Sequence, residues 1–378
     1  MRLTEEQEEL RSAVRSLLTR YEGPAAWQPL AQQIGVAGLA VPEEYGGAGY
    51  GAQEVHVVME ELGRVLSPVP YLGSTVLTTQ ALLASGDEET CQRLLPALAA
   101  GQMVGALAWA EQGTWDPDQI AAQAVPFSAR TWGISGTKEY VLDGVDAELL
   151  LVAARTPTGL SLFEVVVDGA GLHREPTVTM DETRPLTRVV LDGVEGRLVG
   201  QDGEAGRVLR HVMDQGCAAL AAEQVGAAQR CLDLTVAYAK DRVQFGRAIG
   251  SFQAVKHRLA ESYVLVEAAR SAAMGAAFAA AEGSPELTRR AAVAKSACSE
   301  AFSTVAAEMI QLHGGIGITW EHDAHRYFKR AHSSSHLLGT PVWHRGRLST
   351  ELGLAHVNHP RDHCPAAYAH EPKQRHCS

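Results

Sequence analysis

Residues 240–257 read KDRVQFGRAIGSFQAVKH and separate two helix-like runs of the sequence. Phe245 and Gly246 stand between these runs, with Arg242 and Arg247 on either side. A turn between helices needs a glycine, but it has no use for an aromatic ring flanked by two guanidinium groups. A guanidinium is a planar, permanently charged fork that suits phosphate. The stretch predicts either a turn that binds an anion carrying a flat apolar part, or a salt-bridged surface turn.

The sequence on both sides of this turn is helical, in long segments rich in Ala and Leu. Four segments can be separated, and they predict a four-helix bundle across residues 205–353. Their approximate bounds are 206–240, 252–282, 285–313 and 322–349.

The remaining sequence divides into three parts. Residues 1–105 have apolar residues at helical spacing, which predicts an N-terminal helical domain. Residues 106–204 contain short β-rich runs bounded by Gly, Pro and Asp, which predict a small antiparallel barrel or sandwich. Residues 354–378 lose periodicity and predict a flexible tail, whose His and Cys lack metal-site spacing. The predicted fold class is therefore α+β, with no metal site.

Composition narrows the functional class. The chain has 378 residues and a formal net charge of −11, which argues against a general nucleic-acid-binding protein. The longest apolar stretch, residues 264–281, carries Glu267 and Arg270, so it predicts a buried helix and not a membrane span. Six scattered cysteines and a charged N-terminal segment predict free thiols and a cytoplasmic location.

A second glycine-containing segment, QLHGGIGITWEHDAH, follows a helical run at residues 311–325. Gly314, Gly315 and Gly317 allow a ligand to approach the backbone closely, and exposed N–H groups at such a place bind anions. A helix C-cap followed by a turn is the alternative interpretation.

Together, RVQFGRAIGSFQAVKHRLAE, IQLHGGIGITWEHDAHRYFKRA and the order of helical, β and helical parts resemble the acyl-CoA dehydrogenase family. The resemblance extends to about residue 353. It is strongest to the shorter actinobacterial subunit type that lacks the usual catalytic Glu. It implies FAD bound across a dimer interface and flavin-dependent dehydrogenation of an acyl thioester, on CoA or on a carrier protein. It also implies an electron-accepting flavoprotein and either a homo-oligomer or a hetero-oligomer with a second dehydrogenase-like chain.

The resemblance assigns cofactor-binding roles by position. Arg242 would meet the FAD pyrophosphate, Phe245 would pack on the adenosine side, and Gln253 would hydrogen-bond the cofactor. Thr340 would lie near the same cofactor. The adenine and pyrophosphate path from another subunit would be lined by Gln311, Leu312, Gly314 and Gly315.

The catalytic base of the family is missing from its usual positions. The chemistry requires a carboxylate beside the α-carbon of the thioester. The usual Glu position is Leu338, and the alternate position on the first long bundle helix is Gly216. Glu223, two helical turns after Gly216, is the remaining weak candidate, with a structural Glu paired to an Arg as the favoured alternative.

The sequence also departs from the family around the flavin ring. Two threonines that usually bond the ring are replaced by Ala110 and Leu142, while Glu111 is retained. Trp109 and Tyr140 remain as rings that stack on the flavin or belong to the core.

Three functions remain open from sequence. The leading one is a flavin-dependent acyl-thioester dehydrogenase chain that works in an oligomer. The second is a non-catalytic subunit that completes the FAD site of a base-bearing partner, which the missing Glu and threonines favour. The third is a flavin monooxygenase or oxidase on the same scaffold.

Overall fold

A computed structural model describes residues 3–128 and 131–354 of the chain. The predicted tail at 354–378 lies outside the described residues, apart from Leu354. Its flexibility therefore stays a prediction.

Ten α-helices form the two ends of the described chain. Thr4 and Gln7 begin the first of them as a capping box, since each side chain bonds the backbone N–H of the other. The helices are α1 (Glu5–Arg20), α2 (Trp27–Pro29), α3 (Ala52–Arg64), α4 (Thr79–Ser85), α5 (Glu88–Ala99), α6 (Ala205–Asp241), α7 (Gln253–Ala281), α8 (Leu287–His313), α9 (Ala324–His336) and α10 (Pro341–Glu351). A π-helical segment, Tyr71–Thr78, leads into α4.

The middle of the chain is a β-barrel. Five strands pair in a closed ring in the order β4-β2-β3-β7-β5 and back to β4, which removes most exposed edges. β1 extends the ring beside β4, and β6 pairs with β7. The strands are β1 (Gly105–Ala108), β2 (Gln123–Pro126), β3 (Thr131–Leu142), β4 (Leu149–Arg155), β5 (Leu160–Val165), β6 (Leu172–Thr177), β7 (Leu186–Val199), β8 (Val243–Gln244) and β9 (Arg247–Ala248).

The predicted fold class is confirmed: N-terminal helices, a central β-domain and a C-terminal bundle occur in that order. α6, α7 and α8 pack against one another, and α9 and α10 pack on α8. α3 of the N-terminal domain packs closely against α6 at two glycines, one on each helix. A Cβ on Gly63 would overlap the Glu223 carbonyl oxygen, and one on Gly226 would overlap that of Glu60, so only glycine permits this close helix contact.

Two sequence expectations need correction. The fourth predicted bundle segment, 322–349, is not continuous, because α9 ends at His336 and α10 begins at Pro341. The break contains Leu338 with φ +58° and Gly339 with φ +97°, and neither value continues a helix. The β-domain is not wholly antiparallel, since β1 pairs with β4 in parallel after the β2–β3 hairpin has intervened.

Within the described residues, α7 is the single helix long and apolar enough to cross a membrane. Its Arg270 binds Glu60 of α3 and Gln229 of α6, as expected for a bundle helix that keeps its charge paired. The cysteines that the structure describes are free and buried: Cys91, Cys217, Cys231 and Cys298.

Candidate functional site

The turn at residues 240–257 is a two-residue hairpin between β8 and β9. Phe245 has φ +53° and Gly246 has φ +76°, the pattern of a tight primed turn. Left-handed backbone costs a non-glycine residue about 1–2 kcal/mol. Phe245 is 91% exposed, so burial of its side chain within this chain offsets little of that cost. A strained, exposed aromatic ring indicates a surface that contacts another molecule.

Arg242 lies at the base of this hairpin and is exposed. Among the described residues its guanidinium forms no ion pair, whereas the Arg247 guanidinium lies 4.0 Å from the Phe252 ring centroid. Gln253 opens α7 beside it and is also exposed. The two arginines of the turn therefore differ, and Arg242 keeps its fork free for an anion.

The second glycine segment lies at the end of α8. Gly314 has φ +62° and ψ −138°, and a Cβ on Gly314 or Gly315 would meet no atom of this chain. Packing within the chain therefore does not require glycine at 315, which leaves open space for a ligand. Gln311 is exposed and Leu312 partly buried on the same helix end.

The hairpin and the glycine segment meet at one end of the bundle. Tyr238, one turn before Arg242, stacks on His313 with ring centroids 4.4 Å apart. Its hydroxyl donates to the His313 carbonyl at 3.3 Å. We call Arg242, Phe245, Gln253 and the segment Gln311–Gly315 the diphosphate cradle.

A cavity of about 440 Å³ lies between the barrel and the junction of α9 and α10. Its walls carry aromatic rings, and Trp115 and Tyr140 are stacked with centroids 6.1 Å apart. Trp109 does not reach the cavity: it is buried and supports Trp115 from behind, edge-on at 5.0 Å. We call this space the ring cavity. Its lining is Gly113, Thr114, Trp115, Tyr140, Met180, Leu186, His332, Ser333, His336, Leu337, Gly339, Thr340 and Trp343.

A β-bulge shapes one wall of the ring cavity. The β3–β7 register shifts between Lys138 and Val141, and Tyr140 within the shift has φ +55°. Bulges of this kind re-aim a side chain next to a functional site. Behind the bulge the retained Glu111 is structural, because it accepts from Lys138 at 2.5 Å and from the N–H groups of Ala121 and Ala122.

The two positions at which the family places its base face each other. Leu338 is fully buried, and its Cδ1 would lie 2.9 Å from a Cβ built on Gly216. Leu77 approaches the same point at 2.6 Å. The loop is fixed by His344, whose Nε2 donates to the Leu338 carbonyl at 2.8 Å. Leu77 and Leu338 thus occupy the space that a side chain at position 216 would need, and we call this packed contact the leucine plug.

Glu223 is held in a buried ion-pair network. Its Oε1 accepts from Arg330 at 2.8 Å, and its Oε2 pairs with Arg184. Arg330 also binds Asp181 at 2.6 Å. Both oxygens of Glu223 are therefore occupied by guanidinium groups, which supports the structural role over that of a base.

A small polar cavity of about 20 Å³, roughly one water, lies where the three domains meet. Tyr71 Oη and Arg184 Nη1 face this region and have no hydrogen-bond partner among the described residues. Asp143 lines it with φ +58°, and burial raises the pKa of its carboxyl to about 7, opposed by Arg184 and assisted by Asp146. The folded protein therefore favours the neutral form of Asp143 below about pH 7.

We expect Asp143→Asn to stabilise the protein above about pH 4, with the full effect reached just above pH 7. A carboxyl whose pKa is raised by folding makes its full contribution to the free energy of unfolding below its unfolded pKa of 3.8. That contribution is lost as the pH rises to about 7. The variant should match the wild type near pH 4 and exceed it by up to about 4 kcal/mol at about pH 8. Urea unfolding at several pH values measures this difference, and asparagine tolerates the left-handed backbone.

Asp192→Asn is the matched control, since Asp192 is exposed in the same domain. It should change stability by less than about 0.5 kcal/mol at any of these pH values. An Asp143→Asn difference that did not vary with pH would contradict the assignment.

The ring cavity and the diphosphate cradle lie at opposite ends of α9. His322, which contacts His313 of the cradle at 4.3 Å, precedes this helix, and Thr340 of the cavity follows it. Thirteen residues of α-helix span about 20 Å. The ring cavity and the diphosphate cradle of one chain are therefore about one helix length apart.

The described geometry fits FAD. The ring cavity offers stacked aromatic walls for a tricyclic ring, and the diphosphate cradle offers a free guanidinium and open backbone for a diphosphate. Such a combination on this fold defines a flavoprotein of the acyl-CoA dehydrogenase type.

Comparison with known proteins establishes the family. Residues 205–352 match the family Acyl-CoA dehydrogenase, C-terminal domain, and residues 4–102 match Acyl-CoA dehydrogenase, N-terminal domain. The chain belongs to the acyl-CoA dehydrogenase family, as the sequence predicted, and is a flavin-dependent oxidoreductase with FAD as cofactor.

Its relatives include proteins of mycobacteria. Acyl-CoA dehydrogenase IpdE2 of Mycobacterium tuberculosis is 42% identical over 363 residues, which cover 92% of this chain and 98% of the relative. A solved variant of the Tcur3481-Tcur3483 steroid ACAD is 34% identical with a TM-score of 0.84, covering 92% of this chain and 98% of that one. The ChsE4-ChsE5 complex from M. tuberculosis is 29% identical with a TM-score of 0.85, covering 94% and 99%.

Several residues of the site were not found from sequence. Trp115, His332, His336 and His344 line or brace the ring cavity and its loop. The i,i+4 spacing of His332 and His336 was a usable signal, because such residues share one helix face. Nothing local indicated that this face would meet the barrel.

Proposed function

We propose that this chain is a subunit of a flavin-dependent acyl-CoA dehydrogenase in which a second dehydrogenase-like chain supplies the catalytic carboxylate. The observation that carries the proposal is the leucine plug. A Leu at the usual base position packs on a Gly at the alternate one, and Leu77 fills the remaining space. Within the described residues, no carboxylate of this chain is free at the point where the α-proton must be removed.

The diphosphate cradle then acts on the partner's cofactor. FAD, when bound, would supply the hydride acceptor for the reaction. Arg242 and the open backbone at Gly314–Gly315 would hold the diphosphate of an FAD whose ring lies in the partner. The ring cavity of this chain would hold the ring of a second FAD. Two relatives whose names join two chains, ChsE4-ChsE5 and Tcur3481-Tcur3483, support a heteromer.

The substrate, acceptor and location follow from the same reasoning. The relative named as a steroid ACAD makes a steroid-derived acyl group on CoA the first to test, with straight-chain and carrier-bound acyl groups beside it. An electron-transferring flavoprotein is the proposed acceptor, and the cytoplasm the proposed location.

The proposal is tested by flavin bleaching. The chain purified alone and supplied with FAD should keep its flavin absorbance with every acyl thioester. Co-expression with a base-bearing dehydrogenase-like chain of the same organism should give a complex that bleaches. Bleaching by the lone chain would overturn the proposal, and rapid hydrogen peroxide formation by the reduced complex would favour the oxidase alternative.

Leu338→Ala tests whether the leucine plug only stabilises the fold or also contacts the substrate. Removing a fully buried leucine should lower the free energy of unfolding by about 2–5 kcal/mol. The kcat and KM of the complex should stay within about twofold, since the acyl group is bound by the partner. Stopped-flow bleaching below the unfolding temperature measures this. A clear change in KM for long acyl chains would place the acyl group in this chain instead.

A further inference from the structure

Two histidines of α9 face the ring cavity. His332 and His336 are one helical turn apart, with ring centroids 5.1 Å apart. Among the described residues that line the ring cavity, no other side chain changes its charge near neutral pH, and none is an Asp, Glu, Lys or Arg. Their imidazoles make no hydrogen bond within the described part of the chain, so their N–H groups are available to a ligand.

The charged groups around this pair already have partners within the chain. Lys295 of α8 is fully buried behind α9 and donates to the carbonyls of Ser334 and Ser335. Asp181 of the β6–β7 loop accepts from Ser333 and is paired with Arg330. The remaining neighbours lie on α9 and α10 and hold other partners: Lys329 over Trp320, Arg347 on Asp214, and His344 on the Leu338 carbonyl.

These surroundings disfavour protonation of His336. Burial lowers the pKa of His336, and the neighbouring His332 and Lys295 lower it further. A ligand that brings negative charge into the ring cavity would reverse this balance and favour an imidazolium.

The same cavity lacks the hydroxyl groups that the family usually places around the flavin ring. Ala110 and Leu142 are both buried and carry no donor. The imidazole pair stands on the α9 wall, across from Tyr140 on the barrel wall, and adds ring N–H donors to the hydroxyl groups of Thr114 and Tyr140.

We propose that His332 and His336 bind the flavin ring in this chain's own cavity and set its reduction potential in a pH-dependent way. Reduction by an electron pair and one proton leaves the ring with one extra negative charge. One imidazole of the pair takes a second proton from solvent and balances that charge. Because Leu338 and Gly216 occupy the two family positions for the base, this chain offers no carboxylate there to remove the α-proton, and an acyl thioester does not reduce this ring. Electrons reach it from a redox protein or, in the test, from dithionite.

The inference rests on the proposed function, and one sample tests both. The FAD-loaded complex is first given the acyl thioester, which bleaches the partner's flavin. The flavin that stays oxidised is then titrated with dithionite against an indicator dye at pH values from about 5.5 to 8.5. The wild type should take up one more proton per electron pair than the variant His332→Gln/His336→Gln, and should hold this flavin at least about tenfold more tightly.

Two further variants sharpen the outcome. His336→Arg keeps a permanent charge, so its potential should be raised and should lose the added pH dependence. His325→Gln, which alters an α9 histidine that contacts Trp320 outside the cavity, should behave as the wild type. Unchanged pH dependence and affinity in the double variant would overturn the inference while thioester bleaching still upheld the proposed function. Complete bleaching by the thioester would overturn the statement that an acyl thioester does not reduce this chain's own flavin. No bleaching at all would count against the proposed function.

Discussion

Replacing Arg330 by methionine is expected to lower the free energy of unfolding by about 3–5 kcal/mol, because it leaves buried carboxylates without a partner. Arg330 is fully buried and binds Asp181, Glu223 and the carbonyl of Thr183. Burial would raise the pKa of Asp181, but the guanidinium and the Thr183 hydroxyl hold it below its ordinary value. Methionine fills similar space without a charge, so thermal and urea unfolding report the lost pairing.

Arg345→Met is the matched control, since Arg345 of α10 forms a half-exposed ion pair with Glu300 of α8. Exposed pairs of this kind contribute about 0–1 kcal/mol. Equal effects for the two arginines would show that the buried network is not what joins α9, α6 and the β6–β7 loop.

Glu223→Gln separates structure from catalysis at the same place. It should weaken the fold while leaving thioester bleaching by the complex intact at temperatures where the complex is folded. Loss of bleaching without loss of folded protein would restore Glu223 as the base.

Arg242→Ala is expected to weaken FAD retention by the complex about 10- to 150-fold, since a charged hydrogen-bonding partner of a diphosphate contributes about 1.5–3 kcal/mol. Its guanidinium has no ion-pair partner among the described residues, so the substitution removes no internal contact and should leave the melting temperature of the apo-complex unchanged. Fluorescence titration of the apo-complex with FAD measures the affinity.

Lys240→Ala removes an exposed charge at the end of α6 and serves as the control. It should change FAD affinity by less than about threefold, because a charge without the planar fork is weakly oriented. Arg242→Lys should lie between the two. If Arg242→Ala left flavin content and FAD affinity unchanged, the assignment of Arg242 to the FAD diphosphate would fail.

Much of the fold could be predicted from local sequence pattern. The period of apolar residues gave α6, α7 and α8 to within two residues at each end, because the long helices repeat the same spacing many times. The break between α9 and α10 was missed although Gly339, Thr340 and Pro341 carry the signals of a helix end and a new helix start, with Thr340 as the N-cap of α10. The parallel pairing of β1 was missed because strand direction depends on long connections and not on composition.

The residues themselves determined the exposed arginine-containing turn, the open glycine segment and the absence of a carboxylate at the two family positions for the base. These features are local: a guanidinium keeps its charge, a glycine keeps its freedom, and a leucine or glycine takes no proton wherever it lies. Tertiary structure decided how they are used. It brought Leu338 onto Gly216, gave both oxygens of Glu223 to arginines that are distant in sequence, and turned His332 and His336 toward the barrel. Such contacts depend on how helices and barrel pack, and packing is set by the whole chain and not by any one segment.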